Sequence, residues 1–182
     1  TITKYFVIFG SLICLGVIVF ADVLKLILIN NKDYWSAMKI VPLIVLANFF
    51  LGIYTNLSVW YKLIDKTRIG AYISIVGAIV TLVLNLILIP IMSYMGSAIA
   101  TIFAYGTMML ISYYMGQKKY PIPYDKKSIF TYLGLAIVLS GISFYVPILR
   151  ETYVFGIASI LFFAYFVYRN EKETILTIIR RK

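Results

Sequence analysis

The chain has 182 residues, of which 62% are apolar and 13% charged, with a mean hydropathy of +0.94 and a net charge of +10. Soluble domains carry about 25% charged residues, so this composition excludes an ordinary soluble fold and indicates a membrane protein. Histidine is absent, which removes the commonest general base and metal ligand, and Cys14 stands alone, which excludes a disulfide framework or a redox pair.

About 20 apolar residues cross roughly 30 Å of hydrocarbon at about 1.5 Å per residue. By that measure the chain divides into six helices, at 5–29, 40–61, 69–90, 94–115, 129–149 and 152–168. Residues 1–168 are thus expected to form an all-α polytopic transmembrane helix bundle, with 169–182 as a basic amphipathic tail. No segment alternates polar and apolar residues over ten positions, as the wall of a membrane barrel does.

The first helix holds the intramembrane charges, Asp22 and Lys25, three positions apart and therefore on one face. They are placed to pair with each other, with Lys25 in snorkelling reach of the interface, or to meet a substrate or a proton. In the second helix Asn48, Gly52, Thr55 and Asn56 form a polar lane, and two asparagines at membrane depth favour a cavity lining over simple packing. The third is two-faced: Gly70, Ser74, Gly77, Ala78, Thr81 and Asn85 share one side, and Ile75, Ile79, Leu82, Leu86 and Ile89 the other. Asn85 lies near mid-membrane and needs a hydrogen-bond partner or water, which interhelical packing and a wet cavity would each provide.

The turn-like PIMSYMG, residues 90–96, leads into the fourth helix, where Gly96, Ala100 and Ala104 recur every four residues as a close-packing seam. QKKYPIPYDKKS then reads as a linker kept extended by Pro121 and Pro123. After the last two helices, RNEKETILTIIRRK mixes charges with Ile175, Leu176, Ile178 and Ile179 and is expected to lie along an anionic membrane surface.

The cations are distributed unevenly between the two sides defined by alternate connections. One side receives Lys4, Lys62, Lys66, Arg68, Lys118, Lys119, Lys126, Lys127 and the five of the tail, thirteen in all; the other receives Lys32, Lys39 and Arg150. The positive-inside rule then predicts that both ends lie in the cytoplasm, which an even number of crossings allows. No soluble module gathers the basic residues, so nucleic acid is not an expected partner. Of the seven acids, Asp22 alone lies within an apolar stretch, so paired carboxylates at membrane depth are not expected. With no Gly-rich phosphate loop, nucleophile motif or metal-ligand spacing either, the sequence argues against an enzyme and calls for no metal or cofactor.

YTNLSVWYKLIDKTRIGAYISIVGAIVTLVLNLILIP, followed by GSAIATIFAYGTMMLISYYMGQKKYPIPYD, resembles the C-terminal region of bacterial polysaccharide-export and O-antigen flippases. These belong to the superfamily of multidrug, oligosaccharidyl-lipid and polysaccharide exporters. The resemblance rests on Lys66–Thr67 opening a helix, on LNLILIP with its Asn85, and on Gly96-Ser97-Ala98 opening the next. It covers about residues 20–125, including KDYWSAMKIVPLIVL at 32–46. It implies the C-terminal lobe of an alternating-access transporter that moves a polyprenyl-diphosphate-linked glycan across the bacterial inner membrane. The chain opens on Thr1, which fits a last set of helices whose N-terminal lobe precedes them.

On that reading Asn48, Asn56, Thr81 and Asn85 would bind sugar, Lys25 would attract the diphosphate, and Asp22 would be the candidate for ion or proton coupling. The rivals are a cation-coupled multidrug-and-toxin exporter, a membrane glycosyltransferase or polymerase, and a structural membrane subunit without transport activity.

Overall fold

The computed structural model describes residues 2–28, 32–146 and 153–180, with the side chains at 28, 32–34, 36 and 173–180 outside that description. Arg150, Glu151 and the span ends expected at 29, 147–149 and 152 lie outside the described residues. The fold is an all-α bundle: α1 (Ile2–Val19), α2 (Ala21–Leu28), a 3₁₀ segment (Lys32–Ile40), α3 (Val41–Leu57), α4 (Val59–Leu63), α5 (Arg68–Met92), α6 (Tyr94–Lys119), α7 (Lys126–Tyr145) and α8 (Val154–Arg180). Five stretches among the described residues are long and apolar enough to cross a membrane: α1, Ala37–Leu63, α5, α6 and α7.

Helix boundaries follow from local chemistry. At Phe20 the first span turns without breaking its ladder, because Phe20 N–H still reaches the Gly16 carbonyl at 3.0 Å and Leu24 N–H reaches Phe20 at 2.9 Å. At Ser58 the second span bends for another reason. The Thr55 hydroxyl donates to the Gly52 carbonyl at 2.8 Å and the Ser58 hydroxyl to Thr55 at 2.6 Å, a back-bonding that competes with the regular ladder and curves helices. α4 closes in a Schellman turn, with Lys66 N–H on the Tyr61 carbonyl, Asp65 N–H on Lys62, and Asp65 itself in the left-handed region at φ 54°.

Between α5 and α6 the chain reverses at Ser93, another positive-φ residue. Gly96 follows because the two helices almost touch: a Cβ there would stand 2.5 Å from the Leu88 carbonyl oxygen. From that point the seam expected at Gly96, Ala100 and Ala104 extends down the whole helix as a buried stripe through Met108, Ser112 and Gly116.

In space the helices form a row. α5 packs on α6, α6 on α3, α3 on α1, and α1 on both α7 and α8. The main core lies at the α1 end of this row, where Val7, Leu15, Phe49, Ile53, Tyr132 and Phe163 meet. A second cluster, Tyr54, Trp60, Tyr61, Ile73 and Met108, joins α3, α4, α5 and α6.

Cross-helix bonds fix which ends lie together. Thr3 meets Asn56, Trp60 Nε1 donates to the Ser112 carbonyl at 3.1 Å, and Lys4 meets Asp125 and Glu171. The start of α1, the end of α4, the end of α6, the start of α7 and the late turns of α8 therefore share one end of the bundle, which collects most of the cations. The boundary expected at residue 169 is no break, since α8 runs unbroken through it.

Candidate functional site

Three polar places were expected within the spans, and the structure resolves each differently. On α2, Lys25 Nζ pairs with Asp22 Oδ1 at 3.1 Å and lies 4.5 Å from the centre of the Trp35 ring. On α3, Asn48 is exposed and its amide donates to the Ile44 carbonyl of its own helix at 2.9 Å, whereas Asn56 Oδ1 accepts from the Thr3 hydroxyl at 3.1 Å and so joins α3 to α1. On α5, the Thr81 hydroxyl turns back to the Gly77 carbonyl at 2.9 Å. The Asn85 Oδ1 atom is buried and has no hydrogen-bond partner.

The side of α5 that faces the bundle is narrower than the expected lane. Gly70, Ile73 and Gly77 are buried, Thr81 and Asn85 are half-buried, and Ser74 and Ala78 are exposed. The glycines make the contact possible: a Cβ at Gly70 would overlap the Tyr61 ring and one at Gly77 the Met108 side chain. α6 packs between the remaining lengths of α3 and α5, so Asn48 and Asn56 are not brought together with Thr81 and Asn85. Lys25 and Asp22 belong to neither lane.

A further polar constellation appears at the cation-rich end. Lys4, from the first turn of α1, lies 2.5 Å from Glu171 Oε1 on α8 and 3.2 Å from Asp125 Oδ2. The Tyr132 hydroxyl of α7 donates to the same Glu171 oxygen at 3.0 Å. Glu171 is 4% exposed, so its charge is withdrawn from water and compensated at close range. Asp125 also caps α7, accepting from Ser128 N–H at 3.2 Å. Its carboxyl is held below the usual aspartate range, first by the Ser128 side chain and backbone and then by Lys4.

These groups line an open cleft of about 490 Å³, whose mouth also carries Lys127, Thr131 and Asn170. One cation bridging two carboxylates, with a tyrosine closing the set, is an arrangement suited to locking three helix ends together. Among the described residues no three metal-ligating side chains converge.

The sequence pattern does not single out Lys4, Asp125, Tyr132 and Glu171: by sequence, Lys4 counts toward topology, Asp125 belongs to a linker and Glu171 to a surface tail. The correction has a geometric reason: from Val154 to Glu171 a helix advances about 26 Å at about 1.5 Å per residue, enough to return Glu171 across the bundle to the level of Lys4. A signal was available in the spacing of Asp125 and Ser128, which reads as a helix cap.

Neither a family model, a curated protein nor a solved structure matches the chain.

Proposed function

We propose that the chain is a lobe of a bacterial inner-membrane transporter that moves a polyprenyl-diphosphate-linked glycan from the cytoplasmic to the periplasmic leaflet for cell-surface polysaccharide assembly. The carrying observation is the Asn85 carbonyl oxygen on α5, buried and without a partner. An unpaired buried acceptor costs about 1–3 kcal/mol, so the position calls for water, a facing segment or a sugar hydroxyl. α5 has α6 as its main neighbour, and its remaining surface is open to another lobe or to lipid. The glycan would pass along the side of Thr81 and Asn85 while its polyprenyl chain stays among acyl chains.

Two further features support the reading. The stretches at about 20–125 resemble polysaccharide-export flippases, and the cations collected at one end suit a cytoplasmic face under the positive-inside rule. The Asn48–Asn56 lane has a smaller part in this account, because Asn56 is occupied by Thr3 and Asn48 by its own backbone.

The test is a flipping assay with labelled lipid-linked oligosaccharide in vesicles containing the full-length protein. Asn85→Leu is expected to slow flipping at unchanged protein levels. Unchanged flipping would remove Asn85 from the pathway, and an inactive unsubstituted protein would remove the transport reading.

A further inference from the structure

At the cation-rich end, a second groove runs between α3, α6 and α7, with an apolar wall and a charged lip. Its wall is formed by Ile53, Met109, Leu110, Ile129 and Leu133, and it encloses about 90 Å³. Leu110 and the adjoining Phe130 are exposed at its open side, so the groove faces outward from the bundle. Its lip carries Lys126 with Tyr113 and Tyr124, and the Lys126 ammonium lies 5.5 Å from the centre of the Tyr113 ring. Among the described residues no carboxylate pairs with Lys126; the neighbouring Asp125 is taken by Lys4 and Ser128. Lys118 and Lys119 end the helix that bears Tyr113 and add positive charge at the same level.

An apolar trough ending in an uncompensated ammonium at the membrane edge has the division of a lipid with a negative head. A zwitterionic lipid would fill the trough equally well but gain less from the lysine, and a soluble anion would leave the trough empty. We infer that this groove holds an anionic phospholipid, one acyl chain along Leu110 and Leu133 and the phosphate against Lys126. Tyr113 and Tyr124 suit the headgroup level, where amphipathic rings concentrate. The lipid would act as a fixed part of the bundle, seating α7 against α6, and the inference holds whether or not the protein carries glycan.

Native mass spectrometry of the full-length protein in neutral detergent tests this, with phosphatidylglycerol and phosphatidylcholine of identical chains as probes. Phosphatidylglycerol is expected to be retained about fivefold more, the contribution of one lysine near an anionic headgroup. Lys126→Ala is expected to reduce it to the phosphatidylcholine level, while Lys127→Ala, which alters the other cleft, keeps the preference. Leu110→Trp, at an exposed position that tolerates bulk, is expected to reduce retention of both lipids by obstructing the trough. Equal retention of the two lipids by the unsubstituted protein, a preference that survives Lys126→Ala, or full retention in Leu110→Trp would each overturn the inference. Helical circular dichroism of each variant checks that the comparison is between folded proteins.

Discussion

Asn85 on α5 and Glu171 on α8 both carry buried side-chain oxygens, yet they are treated in opposite ways. Glu171 receives an ammonium and a phenol hydroxyl within 3.0 Å, and the three helices that supply this set are locked at one end. The Asn85 carbonyl receives no hydrogen bond, on a helix held mainly by one neighbour. Compensation marks the first place as structural. Its absence at Asn85, shared with the buried Ser11 and Ser112 hydroxyls, is what the proposed transport path rests on.

Removing one member of the compensated set should have the largest effect. Lys4→Met leaves the Glu171 carboxylate buried without its cation and is expected to cost about 3 kcal/mol, read as a lowered unfolding midpoint in detergent. Adding Glu171→Leu should recover much of the loss, because no stranded charge then remains. A double variant as unstable as the single one would show that the cluster is not what holds α1 to α8.

Next comes the α5–α6 hairpin, which presents Asn85. Gly96→Ala places a Cβ against the Leu88 carbonyl and is expected to cost about 1–3 kcal/mol as the helices separate. An unchanged melting temperature would show that the hairpin has slack. Asn56→Ala removes one interhelical hydrogen bond, from Thr3, and should cost about 0.6 kcal/mol on the same scale.

The smallest expected effect is on pH dependence. Because the Asp125 carboxyl is depressed by Ser128 and Lys4, its stabilising contribution is present above the ordinary aspartate range and is lost as pH falls through the depressed folded value. Asp125→Asn should therefore lower stability slightly near neutrality, where the charged carboxylate contributes, and flatten the acid limb, where the variant has no such contribution left to lose. An unchanged acid limb would contradict the capping role.

Particular residues show what could be read in advance. Gly96, Ala100 and Ala104 announced a seam because four-residue spacing of small side chains has one physical use in a membrane helix. Asp22 and Lys25 announced a pairing because they lie three apart on one turn. The two faces of α5 were visible as well, although Ser74 and Ala78 lie outside the buried stripe, because α6 covers a narrower arc than the polarity pattern suggests. The Lys4–Asp125–Glu171 cluster was not visible. Its members come from the two ends and the linker of the chain, and no local period relates them; their meeting depends on α8 continuing past residue 169 and packing beside α1. Asn56 was read as cavity lining because its partner, Thr3, lies on another helix.

The most direct test of the central claim compares water access at two adjacent positions of α5. In the full-length protein with Cys14 replaced by Ala, single cysteines at Asn85→Cys and Leu86→Cys would be challenged with a water-soluble maleimide, which reacts with the hydrated thiolate. The account predicts labelling at 85, slowed by added lipid-linked oligosaccharide, and little at 86, whose side chain is among the most exposed apolar groups and faces acyl chains. Equal inertness at both positions, or labelling at 85 that the oligosaccharide leaves unchanged, would contradict a hydrophilic path along α5.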